Sequence, residues 1–98
     1  MKLTLVQKSN LKDLISLARR PRPGYQGGSY GTNADAALLR KGLILMGVHV
    51  SKGDAFWVKG ARLPRMVISP LGWEVAKEHG LLDEGAVYPE GYDKMDPP

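Results

Sequence analysis

Eleven consecutive residues, Pro21 to Gly31 (PRPGYQGGSYG), hold two prolines and four glycines, and this stretch limits the fold of the chain more than any other. Proline lacks the donor that a helix interior needs, and glycine loses the most chain entropy on ordering, so the stretch is expected to be a loop. It separates an N-terminal helical pattern from everything that follows.

On the N-terminal side, Ser9 or Asn10 reads as the cap of a helix whose apolar residues Leu11, Leu14, Ile15 and Ala18 recur at spacings of three and four. Arg19 and Arg20 fall in its last turn, where cations favour the negative end of the helix dipole, and Pro21 stops it. Beyond the loop, Thr32 reads as the N-cap of a second helix. Ala34, Ala37, Leu38 and Leu39 supply its apolar face, and Gly42 is its left-handed C-cap.

Leu43 to Val50 (LILMGVHV) is rich in strand formers, and Ser51 to Asp54 reads as a turn. Ala55 to Lys59 (AFWVK) is expected to return antiparallel, with Phe56 and Trp57 on opposite faces. Gly60 to Pro64 makes a second connection, and Arg65 to Ser69 is a third strand candidate. Ser69 ahead of Pro70 starts a third helix expected to run to His79. In it, Leu71, Val75 and Ala76 face the sheet, Trp73 is half-buried and Gly80 ends the helix, after which Leu81 and Leu82 complete the core.

The expected fold class is therefore α+β, with about three helices on a two- to three-stranded antiparallel sheet in a domain spanning 1–83. Residues 84–98 (EGAVYPEGYDKMDPP) are acidic, carry Pro and Gly, and lack apolar periodicity, so an extended or disordered tail is expected.

At 98 residues the chain has room for one small core and little for a large substrate cleft. Without cysteine it has no disulfide, no thiolate nucleophile and no thiolate metal site. His49 and His79 form no ligand pair, and Gly24, Gly27, Gly28 and Gly31 lack the Gly-Lys-Ser/Thr of a phosphate loop. Glu74 and Glu78 have the spacing of a solvated helix face, and Asp13, Asp35 and Asp54 do not cluster. No catalytic residue, cofactor or metal is expected. The opening MKLTLVQKSN is too poor in apolar residues for a signal-peptide core, and no apolar run is long enough to span a bilayer, so a soluble cytoplasmic protein without membrane contact is expected.

Charge is divided along the chain. Met1 to Met66 carries 12 Lys and Arg against 3 acids, or +9, whereas Val67 to Pro98 carries 2 against 7, or −5. The basic part suits a polyanion, although an ordinary solvated basic surface has the same composition. On the first reading, the acidic segment could act as an internal phosphate mimic whose removal strengthens binding.

Two segments carry a resemblance. Ala37-Leu38-Leu39-Arg40-Lys41-Gly42-Leu43-Ile44 resembles the end of the reading helix and the first wing strand of winged helix-turn-helix regulators of the MarR-like and PadR-like kind. Ile68-Ser69-Pro70-Leu71-Gly72-Trp73-Glu74-Val75-Ala76 is similar to the point where their second wing strand opens the closing helix. The chain departs from that pattern where the Gly/Pro loop replaces the second helix.

The resemblance implies a winged-helix-like domain that binds nucleic acid, duplex DNA first, without enzymatic activity, as a transcriptional regulator or accessory factor. Asn33 and Arg40 are then candidate base or phosphate contacts on a helix also bearing Thr32 and Lys41. Lys52, Lys59, Arg62 and Arg65 are wing cations on flanking phosphates, and Arg19, Arg20, Arg22 and Tyr25 are loop contacts able to follow a strand and stack on bases. The alternative is a protein-binding adaptor or inhibitor, recognisable by an exposed apolar patch around Phe56, Trp57 or Trp73, with homodimerisation open in either case. A small hydrolase or nuclease comes third, because it would need convergent polar groups.

Overall fold

The first helix begins more than a turn before its apolar stripe. In the computed structural model, which describes residues 1–20, 33–53 and 58–95, helix α1 spans Leu5–Arg19 and is capped by Thr4 rather than by Ser9 or Asn10. The amide of Gln7 donates to Thr4 Oγ1 and the amide of Thr4 donates to Gln7 Oε1, each at 3.1 Å, so two end-of-helix donors are satisfied reciprocally. Leu5 and Val6 lie exposed in the first turn and break the apolar period that marks the rest of α1. The stripe itself, Leu11, Leu14, Ile15 and Ala18, is buried.

Helix α2 spans Asn33–Arg40. It closes at Gly42, φ +75°, as the amide of Gly42 donates to the Leu39 carbonyl and that of Leu43 to the Leu38 carbonyl, both at 3.0 Å. These crossed bonds form a Schellman cap, and its usual apolar contact is the buried pair Leu38 and Leu43. Helix α3, Pro70–Glu78, ends in the same way at Gly80, φ +73°, with Leu81 bonded back to Ala76. The expected loop Pro21 to Gly31 and the Thr32 cap lie outside the described residues.

Between α2 and α3 run β1 (Ile44–Val50) and β2 (Arg62–Ile68), antiparallel and in register from Ile44 opposite Ile68 to Val50 opposite Arg62. The sheet has two strands among the described residues. Of the expected return strand Ala55 to Lys59, residues 55–57 lie outside the described residues. Val58 and Lys59 belong instead to a turn in which the Ala61 amide reaches the Val58 carbonyl and Gly60 takes φ +86°. Arg62, Leu63 and Pro64, expected in a connection, are in β2, because the Ser51–Ala61 hydrogen bond closes the ladder directly beyond them.

One face of the sheet meets the helices, and the other receives the C-terminal segment. Gly47 and Arg65 sit opposite each other. Met95 lies against Gly47 where a side chain would otherwise project, and the Arg65 guanidinium lies 4.8 Å over the Tyr92 ring. Residues 84–95, expected as an extended or disordered tail, thus join the body. Trp73 Nε1 donates to the Ala86 carbonyl at 3.1 Å, Tyr88 hydroxyl donates to the Ile68 carbonyl at 2.6 Å, and Tyr92 belongs to the core. Aromatic rings supplied the buried area that the absence of periodicity concealed. Trp73 is correspondingly 2 % exposed rather than half-buried, its ring edge to face with Tyr88 at 5.5 Å. Leu71, expected on the sheet, is 50 % exposed because Gly72 takes the inward position.

Candidate nucleic-acid interface

Three of the expected contacts gather at the free end of the hairpin. Lys52, Lys59 and Arg62 are all exposed, and the ladder closing at Ser51 and Ala61 holds their backbones together. Next to Lys52, Gly53 takes φ +96° with its amide on Ser51 Oγ, and the Lys59 side chain lies beside it. Three exposed cations at this end of the ladder make a local positive site.

Asn33 and Arg40 occupy the first and last positions of α2 and are exposed. The cationic end of α2 lies at the opposite end of β1 from the hairpin turn. The seven residues of β1 separate them by about 20 Å of strand, over half of the roughly 34 Å turn of a duplex. Arg40 and the cations beside Ser51 and Ala61 therefore occupy two separate positions. Asp35 is buried on the inner face of α2 and accepts from Asn10 Nδ2 at 2.9 Å, which takes its carboxylate off the surface. Arg19 and Arg20 are exposed at the end of α1. Arg22, Tyr25 and Thr32 lie outside the described residues.

Two expected contacts are drawn into the structure. Lys41 Nζ donates to the Lys2 carbonyl at 3.0 Å and to Gln7 Oε1 at 3.2 Å, pinning the end of α2 to the start of α1. Arg65 is only 9 % exposed, so it is not a wing cation. Its Nη1 donates to the Lys94 carbonyl at 3.1 Å, and the Tyr92 ring covers its guanidinium plane. The cation–π contact and the Nη1 hydrogen bond replace part of the water that a surface arginine keeps, while Nε is buried without a hydrogen-bond partner.

The fold displaces the ionisation of Tyr88. Burial raises its phenol above the ordinary value and the nearby Asp93 adds to the rise, with Tyr92 contributing and Arg65 opposing. Neutral Tyr88 keeps its donor for the Ile68 carbonyl. His79, at the end of α3, shares a 2.7 Å hydrogen bond between Nε2 and the Met1 carbonyl. Among the described residues no group of three or more His, Asp or Glu is placed to hold a metal, and no helix is long and apolar enough to cross a membrane.

What sequence reasoning missed is the joint that carries α3. Ser69 Oγ donates to the Gly42 carbonyl at 2.6 Å and accepts from the Gly72 amide at 2.9 Å, while the Ser69 amide donates to the Leu43 carbonyl at 3.0 Å. A Cβ on Gly72 would collide with that same carbonyl. The available signal was glycine in the first turn of a helix, where propensity disfavours it unless another backbone comes close. No family model, no curated protein and no solved structure matches the chain.

Proposed function

We propose that this domain binds nucleic acid, duplex DNA in the first place, without catalysis, and that it does so as a winged-helix-like module serving transcriptional regulation or an accessory role. The observation that carries the reading is the exposed trio Lys52, Lys59 and Arg62 at the end of the hairpin that follows α2. The joint between Ser69 and Gly42 supports it, because it ties together the two segments on which the resemblance rests. In this reading the turn cations lie on phosphates, α2 presents Asn33 and Arg40 to a groove, and released counterions supply most of the affinity.

The test is fluorescence anisotropy with labelled random-sequence duplex over a salt series, comparing wild type with a Lys52→Ala, Lys59→Ala, Arg62→Ala variant. Binding that falls with salt, with a slope shallower by about two to three in the variant, supports the reading. Absence of binding at low salt removes it and favours the protein-binding alternative. For that alternative the exposed residues Leu5 and Val6 are a better starting point than Trp73, which is buried.

A further inference from the structure

The sheet face that receives the C-terminal segment holds a guanidinium with few partners. Arg65 is nine-tenths buried, and among the described residues no carboxylate pairs with it. Its Nη1 donates to the Lys94 carbonyl and its plane lies on the Tyr92 ring, but its Nε is buried with no acceptor. A cation placed in this way keeps donor capacity that its surroundings do not use, and burial without an acceptor is costly.

The other neighbour of that guanidinium is a sulfur. Arg65 Nη1 lies 3.9 Å from Met95 Sδ, a long hydrogen bond to a weak thioether acceptor. Met95 lies where Gly47 has no Cβ, so its sulfur sits between glycine backbone and a cation. The residue is half-buried, which leaves its side chain open to a small reagent in water, whereas Met66 is closed off in the core. Met1 and Met46 are exposed, yet among the described residues neither sulfur accepts a hydrogen bond.

We propose that Met95 is a methionine oxidation site whose sulfoxide is held by the Arg65 guanidinium, the oxidant being hydrogen peroxide or an alkyl hydroperoxide. The sulfur lone pair takes the terminal oxygen of the hydroperoxide as the O–O bond breaks, so sulfur gives up two electrons. The proton of that oxygen passes to the departing oxygen, which leaves as water or alcohol. The new S–O oxygen is a far stronger acceptor than a thioether and stands one bond from the sulfur that Arg65 already faces. A charge-assisted hydrogen bond then takes the place of a weak one. Sulfoxide ordinarily loosens the apolar packing it enters. Here its oxygen meets a buried cation with an unused donor, so the segment carrying Lys94 and Met95 stays fastened to the sheet. The inference stands apart from nucleic-acid binding and is measured without it.

Titration of the full chain with hydrogen peroxide, read by peptide mass spectrometry and urea unfolding, tests it. Met95 is expected to gain one oxygen in the folded protein at peroxide concentrations that leave Met66 unmodified. Met95→Leu, oxidised in parallel, carries the same changes at the other methionines and supplies the reference. Relative to it, oxidation is expected to leave the wild-type urea midpoint level or raised, and to lower the midpoint of Arg65→Leu, in which no cation faces the sulfur. A readout that needs no variant at Arg65 is the nuclear magnetic resonance of its guanidinium N–H groups, expected to shift and to exchange with water more slowly once Met95 is oxidised. A Met95 that stays reduced in the folded chain overturns the inference. So does a sulfoxide that lowers the wild-type midpoint as far as that of Arg65→Leu, or one that leaves the Arg65 resonances unmoved.

Discussion

Ser69 and Gly42 are 27 residues apart, yet the hydroxyl of the first donates to the carbonyl of the second at 2.6 Å while accepting from the Gly72 amide. One side chain therefore caps the start of α3 and satisfies a carbonyl left over at the end of α2. Ser69→Ala loses both functions and is expected to cost about 1–2 kcal/mol, from the lost cap and the lost hydrogen bond to the Gly42 carbonyl. Gly72→Ala drives a methyl group against the Leu43 carbonyl, which is backbone and cannot rotate aside, at a cost of about 1–3 kcal/mol. Urea denaturation checks both; a midpoint unchanged in either variant would show that α3 docks by other means.

Removal of residues 84–98 is expected to destabilise the domain before it alters any binding. Tyr88, Tyr92 and Met95 leave the sheet, and Trp73 Nε1, the Ile68 carbonyl and Arg65 each lose a partner. The loss is expected to reach about 3 kcal/mol or more, comparable with deleting one large core side chain. Competition by the acidic segment is therefore better examined with Glu84→Gln and Glu90→Gln, both exposed. If they act as phosphate mimics, duplex affinity rises while the urea midpoint stays put.

Arg65 and the hairpin cations should separate cleanly. Arg65→Ala removes a guanidinium stacked on Tyr92 and bonded to Lys94, so stability falls by about 1–3 kcal/mol and the salt slope of binding stays the same. Lys52→Ala, Lys59→Ala and Arg62→Ala together lower the slope and leave stability within about 0.5 kcal/mol. Melting curves and anisotropy on the same samples decide it, and a slope that falls in Arg65→Ala would return that residue to the interface.

Tyr88 predicts an alkaline transition. Its phenol ionises at a higher pH in the folded state than in the unfolded chain, whose value is about 10. The folded state thus keeps a proton that the unfolded state releases, so this contribution is whole below about pH 10 and declines as pH rises above it towards the folded value. Tyr88→Phe is expected to lower stability near neutral pH by about 1 kcal/mol through the lost hydrogen bond to Ile68, and to flatten the decline above pH 10. Urea midpoints from pH 8 to 11 measure it, and an undiminished slope in Tyr88→Phe would assign the decline to other groups.

Local signals located much of the fold because they act within a few residues. The stripe of Leu11, Leu14, Ile15 and Ala18, the Gly42 and Gly80 terminators and the Ser69-Pro70 start all lie where the chain alone places them. The start of α1 was legible too, in Thr4 and Gln7 three apart, but Leu5 and Val6 obscured it by being apolar and exposed. Of the candidate cations, Lys52, Lys59 and Arg62 were named from composition, but their meeting at one end of the ladder follows from the Ser51–Ala61 pairing, which the expected third strand had hidden.

Arg65 could not be chosen or discarded in that way. Its burial depends on Tyr92 and Lys94, nearly thirty residues on, and nothing in a strand's own pattern reports what will be laid across its face. The same holds for the acidic segment, which has no helical or strand period and is ordered through Trp73, Tyr88 and Tyr92 meeting ring to ring. The sequence by itself determined where the helices end, where α3 begins and which residues can fill a core, since these follow from dihedral preference, capping and spacing. Only the tertiary structure decided which cations stay in water and that Gly72 must lack a side chain, since these depend on backbone and rings brought together from distant parts of the chain.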